Sequence, residues 1–194
     1  MRALVVSRLS GDLSGTGVKD IEMPVCGKGE VLVRVHAASL NYPDLLMTRG
    51  LYQFKPDPPF TSGMELAGEV VETSAGSGLS AGDRVTGGAK TGGFAEFAGV
   101  PSRSLRVIPE GITYAQAAAA GAAYSTAYTG LVELGGLQAG QTVLVHGASG
   151  GVGLATCDLA RALGARVIAA THSEAKMDAL REASGADKVI LNQG

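Results

Sequence analysis

A glycine-rich turn between a strand pattern and a helix pattern is the segment of this chain best suited to chemistry. The apolar run Thr142–Val145 predicts a strand, and a helical pattern runs from Leu154 to Leu163. Glycines let the backbone turn tightly and let a pyrophosphate approach, and a helix N-terminus offers it free N–H groups and a positive dipole end. The spacing therefore predicts a dinucleotide site, with these candidate contacts: Ala148, Gly150, Gly151, Val152 and Gly153.

The elements that must position this turn form a β-α-β-α-β series. A strand pattern at Arg166–Ala170 follows, then a helical pattern at Ser173–Ala183 and a third strand pattern at Lys188–Leu191. This order predicts a parallel sheet with right-handed crossovers. The alternative is a glycine turn in a doubly wound domain that holds no nucleotide.

The loop after the second strand bears on the choice of nucleotide. NAD-binding domains usually place an acid there, about 20 residues beyond the turn, to bind the ribose 2′-hydroxyl. Neither Thr171 nor His172 is acidic, whereas Ser173 and Lys176 can offer a hydroxyl and a cation to a 2′-phosphate. The loop therefore predicts NADPH. The alternative is that Ser173 only caps a helix and Lys176 is a solvated helix residue.

Composition argues against several classes of partner. The 194 residues carry a net charge of −2, so no basic surface for nucleic acid or an anionic membrane is expected. No apolar run is long enough for an ordinary transmembrane helix, and Met1–Val6 predicts a strand rather than a signal peptide. Cys26 and Cys157 lie far apart, and the expectation is a cytoplasmic protein without disulfides.

The N-terminal part of the chain shows a different sequence pattern. Short alternating segments split by glycine turns predict a small β-rich barrel. A capping-box pattern at Thr113 and Gln116 begins an alanine-rich helix, and Tyr124–Leu134 predicts a linking helix. The predicted strands are Glu30–Ala38, Met64–Thr73, Asp83–Thr86 and Gly93–Val100.

Several motifs in one order make a family resemblance specific. They are Asn41-Tyr42-Pro43-Asp44, Arg49-Gly50-Leu51-Tyr52, the run from Pro59 to Val70, Ala81-Gly82-Asp83-Arg84-Val85, the glycine-rich turn and Gly185-Ala186-Asp187. With them, the whole chain resembles the zinc-independent quinone oxidoreductase branch of the medium-chain dehydrogenase/reductases. The resemblance implies a fold of class α/β plus β: a chaperonin-10-like β-rich substrate domain, residues 1–122, followed by the first half of a Rossmann-type parallel sheet, residues 123–194. It also implies an active site in the cleft between the two domains.

The resemblance further implies roles for individual residues. Asn41 and Asp44 would line the nicotinamide side as catalytic candidates, and Thr126 would touch the cofactor. Tyr52 matches a tyrosine that enoyl reductases of the family use as a proton donor, although a phenol in such a loop can equally be an aromatic anchor. Without a metal, hydrogen-bond donors would stabilise the developing oxyanion.

No metal site is expected. Zinc-dependent relatives carry cysteine and histidine where this chain has Asn41 and Met64, and they carry a four-cysteine lobe after the Asp-Arg-Val turn. With two cysteines and three scattered histidines, this chain lacks the ligands that catalytic zinc requires.

Together these implications favour an NADPH-dependent oxidoreductase that transfers hydride to a quinone or an α,β-unsaturated carbonyl, a homodimer when full length. The alternatives are a non-catalytic nucleotide-binding member of the family and an inactive piece of the enzyme. The family pattern continues beyond Gly194 with the second half of the sheet. We therefore expect residues 1–194 alone to self-associate, through the edge strand Lys188–Leu191 and uncovered apolar surface, and to show little hydride transfer.

Overall fold

The computed structural model describes residues 1–192, and the chain divides into two compact units, Met1–Gly121 and Ala122–Gly194. The division falls inside a long helix. Within residues 1–192, no helix combines the length and the apolar character needed to cross a bilayer.

The strands of the first unit are β1 Arg2–Val6, β2 Thr16–Asp20, β3 Glu30–Ser39, β4 Phe60–Thr61, β5 Glu65–Thr73, β6 Arg84–Gly88, β7 Phe97–Pro101 and β8 Leu105–Val107. They form two antiparallel sheets, one with the strand order β7-β3-β5-β6-β8 and one with the order β2-β1-β4. All five strands of the larger sheet contribute to its core, which consists mainly of buried valines and leucines.

The predicted strand Gly93–Val100 is correct only in its second half. Glu96 N–H donates to the carbonyl of Arg2 at 3.1 Å, and Leu4 N–H donates to the carbonyl of Phe94 at 2.8 Å. Residues 94–96 therefore run beside β1, and the paired register with β3 begins at Phe97, next to the bond from the Val35 N–H of β3 to the Glu96 carbonyl at 3.0 Å. The sequence patterns also missed the strands β2, β4 and β8.

A short helix that the sequence did not predict, α1 (Tyr42–Thr48), follows β3. Asn41 is its N-cap, and the Asn41 backbone N–H donates to Asp44 Oδ2 at 2.8 Å. This is the carboxylate half of a capping box, and Pro43 in the first turn suits the fixed φ that a helix start needs.

The capping box at Thr113 and Gln116 is confirmed. Gln116 N–H donates to Thr113 Oγ1 at 3.2 Å, and Thr113 N–H donates to Gln116 Oε1 at 2.9 Å. The helix that it starts, α2 (Tyr114–Tyr128), continues directly into a π-helical segment, Thr129–Leu134. The predicted linking helix is therefore the C-terminal part of one continuous helical stretch.

The elements of the second unit are β9 Thr142–Val145, α3 Gly151–Ala162, β10 Arg166–Thr171, the 3₁₀ turn Glu174–Lys176, α4 Met177–Ser184 and β11 Lys188–Leu191. The three strands form the predicted parallel sheet, with the strand order β11-β10-β9. This order makes β11 one edge strand, as expected, and β9 the other. The segment predicted as a helix from Ser173 instead begins with the 3₁₀ turn, and α4 starts four residues after Ser173.

Candidate functional site

The glycine-rich turn lies at the carboxyl end of β9 and leads into α3. Gly150 is the N-cap of this helix, and its N–H donates to the carbonyl of Gly147 at 3.0 Å, which closes the turn. The first bond of the helical pattern runs from Leu154 N–H to the Gly150 carbonyl at 2.8 Å. The three intervening N–H groups, those of Gly151, Val152 and Gly153, therefore lie outside the intrahelical pattern. With the helix dipole, they form the donor set that an anion requires.

Gly153 is the residue that lets the helix approach the turn so closely. A Cβ atom at this position would overlap the Gly147 carbonyl oxygen and would come within 2.6 Å of the Ala148 Cα. Ala148 itself is fully buried, and its N–H donates to the carbonyl of Ala170 on β10 at 3.0 Å. Among the predicted contacts, Ala148 thus anchors the turn to the sheet and offers no free N–H.

The loop after β10 lies at the same edge of the sheet, because β9 and β10 are parallel. Ser149 Oγ in the glycine turn lies 3.3 Å from Thr171 Oγ1 at the end of β10. Ser173 occupies the N-cap position of the 3₁₀ turn, but its hydroxyl makes no capping hydrogen bond. The Lys176 side chain is exposed and has no ion-pair partner within residues 1–192. The structure therefore brings the glycine-rich turn and the loop that carries Ser173 and Lys176, here called the serine–lysine loop, to the carboxyl end of the parallel strands.

A second group of polar side chains surrounds Asn41 in the first unit. Asn41 Nδ2 donates to Glu65 Oε2 at 2.7 Å, and the Ser39 hydroxyl donates to the same oxygen at 2.7 Å. Asn41 Nδ2 also lies 3.2 Å from Ser39 Oγ. The Glu65 carboxylate therefore fixes which end of the Asn41 amide faces it, and leaves the amide carbonyl directed elsewhere.

Asp44 lies one helical turn beyond Asn41 and is only 1% exposed. Its burial raises the pKa of the carboxyl, and the nearby Glu65 charge raises it further. Backbone N–H groups of Asn41, Met64 and Gly63 act in the opposite direction, but the net pKa remains above the ordinary value. Within residues 1–192, Oδ1 is buried without a hydrogen-bond partner of good geometry.

Tyr52 and Thr126 are the two remaining predicted residues. Tyr52 is half-buried in the irregular segment after α1, which also contains Phe54. The Lys90 ammonium lies 4.6 Å from the centroid of the Phe54 ring, so a cation–π contact holds this segment. Thr126 is exposed on α2.

Glu65 is the site residue that the sequence analysis missed. Ser39 and Glu65 are direct cross-strand partners of β3 and β5, so the antiparallel register places the carboxylate beside Ser39 and Asn41. The local signal is weak, because β5 also contains Glu69 and Glu72. In the described part of the chain, no three or more His, Cys, Asp or Glu side chains are grouped as metal ligands would be.

The contact at Gly153 predicts a difference in stability between two neighbouring glycines. We expect Gly153→Ala to lower the free energy of unfolding by about 1–3 kcal/mol, because the new methyl overlaps backbone atoms that cannot move freely. Gly151→Ala is the matched control, since a Cβ there meets no atom within 4 Å, and its effect should stay within about 0.5 kcal/mol. Urea unfolding without nucleotide measures both. Equal losses for the two variants would show that the close approach is not what requires glycine.

The raised pKa of Asp44 predicts a pH dependence of opposite sign to that of most carboxylates. An acid with a higher pKa in the folded state stabilises the fold most below its unfolded pKa, and this contribution disappears as pH rises through the folded pKa. We therefore expect the free energy of unfolding of the native chain, minus that of Asp44→Asn, to decrease from about pH 4 to pH 7. Urea unfolding at several pH values measures it, with the exposed Asp20→Asn as the control for a lost charge. A difference that increases with pH would contradict the assignment.

Comparison with known proteins connects these features to a family. Residues 27–110 match the alcohol dehydrogenase GroES-like domain. The chain is 39% identical over 177 residues to the quinone oxidoreductase of Homo sapiens, covering 90% of this chain and 54% of that protein. It is 46% identical over 151 residues to a quinone oxidoreductase-like protein 2 homolog of Nematostella vectensis, covering 76% of this chain and 41% of that protein.

A solved structure has a similar fold. The quinone oxidoreductase of Thermus thermophilus, whose crystal structures include a complex with NADPH, superposes with a TM-score of 0.82 at 36% identity. The match covers 97% of this chain and 59% of that one. The chain thus spans about half the length of the relatives that it matches. The fold class predicted from the sequence, a chaperonin-10-like part followed by a partial Rossmann sheet, is confirmed. The chain belongs to the quinone oxidoreductase branch of the medium-chain dehydrogenase/reductase family.

Proposed function

We propose that this chain carries the nucleotide site and the catalytic candidates of an NADPH-dependent oxidoreductase, which reduces a quinone or an α,β-unsaturated carbonyl without zinc. One observation carries the proposal. The glycine turn and the loop with Ser173 and Lys176 leave neighbouring parallel strands at the same edge of the sheet. This is the edge at which open α/β sheets bind their ligands.

The residues present fit the two anionic parts of NADPH. The pyrophosphate suits the N–H groups of Gly151, Val152 and Gly153, with Gly150 closing the turn beneath them. The 2′-phosphate suits the Ser173 hydroxyl and the exposed Lys176 ammonium, neither of which is used by a cap or an ion pair within residues 1–192. The NADPH complex of the Thermus thermophilus relative supports this choice of nucleotide.

The catalytic candidates come from the family resemblance, and the structure adds the state of each side chain. NADPH supplies a hydride when it is bound. Asn41, oriented by Glu65, presents a fixed amide for hydrogen bonding to nicotinamide or substrate. Asp44 holds the Asn41 backbone from a buried position, and Tyr52 is the candidate proton donor of an enoyl-type reduction. Thr126 is a further candidate contact for the cofactor.

One observation also favours a second function, that of a nucleotide-binding member of the family without catalysis. Asn41 and Asp44 already make hydrogen bonds that build the start of α1 and tie it to β5. A non-catalytic protein would keep these residues for the fold alone. The two functions differ in NADPH oxidation with a quinone or an α,β-unsaturated carbonyl as acceptor, which only the reductase catalyses.

The serine–lysine loop predicts a selective loss of NADPH binding in Lys176→Ala. Removing a charged contact to a phosphate costs about 1.5–3 kcal/mol, equivalent to roughly tenfold or more in dissociation constant. NADH lacks the 2′-phosphate, so its dissociation constant should change little. Isothermal titration calorimetry with both nucleotides measures the two effects.

Lys188→Ala is the matched control for this variant. Lys188 begins β11 at the amino edge of the same sheet, so its loss removes the same charge away from the proposed site. It should leave both dissociation constants nearly unchanged. If Lys176→Ala weakens NADPH and NADH by the same factor, Lys176 does not bind the 2′-phosphate.

The proposed zinc independence predicts that chelation has no effect. Since Asn41 and Met64 replace the expected ligands, treatment with a strong chelator should leave the melting temperature and any NADPH oxidation unchanged. Metal analysis of the purified protein provides the second measurement. One tightly bound zinc per chain would overturn this part of the proposal.

A further inference from the structure

Thr171, at the carboxyl end of β10, contacts the segments that follow all three strands of the parallel sheet. It ends β10 and is only 2% exposed, so it lies too deep to contact a nucleotide directly. Its hydroxyl oxygen lies 3.3 Å from Ser149 Oγ, in the turn that follows β9. The same oxygen accepts the N–H of Ser173 at 3.2 Å, and the Thr171 carbonyl accepts the N–H of Asn192, just beyond β11, at 2.8 Å.

The Thr171 hydroxyl can bond both neighbours at once. Oγ1 accepts from Ser173 N–H, and in its contact with Ser149 Oγ either hydroxyl can be the donor, so one small group serves both neighbours. A buried hydroxyl with two partners in two different loops holds those loops at a set separation. One of these loops contains the proposed pyrophosphate donors and the other contains Ser173 and Lys176.

We infer that Thr171 is a positioning residue for nucleotide choice: its hydroxyl holds the Ser173–Lys176 loop in register with the glycine turn, so that both phosphate groups of NADPH are bound together. This inference rests on the proposed function. The pyrophosphate turn serves NADPH and NADH alike, whereas the loop beyond Thr171 serves only the 2′-phosphate. Loss of the hydroxyl should therefore weaken NADPH more than NADH.

Thr171→Val tests this inference, because it keeps the branched shape and removes only the hydroxyl. We expect the dissociation constant of NADPH to rise about five- to tenfold, the effect of about one hydrogen bond, and that of NADH to rise less than about twofold. Thr171→Ser keeps the hydroxyl and should restore NADPH binding. Thr142→Val, at the amino end of β9, is the matched control and should change neither constant.

A double-mutant cycle with Lys176→Ala separates positioning from a general structural role. If Thr171 acts through the loop that carries Lys176, Thr171→Val should raise the NADPH dissociation constant less in the Lys176→Ala background than in the native chain. Calorimetry of the 194-residue chain gives all four values, and thermal unfolding confirms that each variant is folded. Thr171→Ala replaces Thr171→Val in the cycle if the valine variant does not fold.

The outcomes distinguish this inference from the proposed function. Equal losses for NADPH and NADH, additive effects in the cycle, or unchanged NADPH binding in a folded Thr171 variant would overturn the positioning role alone. A native chain that binds neither nucleotide would overturn the proposed function and the positioning role with it. A selective loss that is restored by Thr171→Ser and is non-additive with Lys176→Ala would establish the role.

Discussion

The close approach of α3 to the glycine-rich turn is the contact on which the geometry of the proposed nucleotide site depends. Gly153 packs its backbone against Gly147 and Ala148, where no side chain has room. This contact sets the direction in which the first-turn N–H groups of the helix point. Because the Ala148 N–H bonds to Ala170, the turn is also tied to β10. The steric requirement at Gly153 therefore sets the geometry of the anion-binding N–H groups, and the Ala148–Ala170 hydrogen bond ties that geometry to the strand from which the neighbouring loop leaves.

The sequence predicted the second unit best, because its structure follows from local patterns. Each strand is a short apolar run, and the helices between them end at Gly164 and Gly185, which both adopt positive φ. The capping box of Thr113 and Gln116 was likewise readable within four residues. Only the 3₁₀ turn at Glu174–Lys176 departed from the predicted helix. The positions of the glycine turn and the serine–lysine loop could thus be predicted, while their roles in binding remain predictions.

The first unit was harder to predict from the sequence, because its key contacts join residues that are far apart along the chain. Glu65 meets Ser39 across 26 residues, through a register between β3 and β5 that no local pattern specifies. α1 was missed for another reason: seven residues give too little periodicity for a helical pattern, and its Asn41–Asp44 cap differs from the usual Ser/Thr and Glu/Gln pair. The orientation of the Asn41 amide follows from Glu65, so it too required the structure.

The same difference in contact distance has a consequence for the order of folding. In the parallel sheet, the elements that meet are close in sequence, as where the Val167 N–H of β10 donates to the carboxylate of Asp187 just before β11, 20 residues along the chain. In the first unit, β1 is completed by residues such as Glu96, which lies 94 residues from its partner Arg2. Closing long loops costs more entropy and slows folding. We therefore expect the second unit to acquire its native pairing sooner, although the ribosome synthesises it after the first unit.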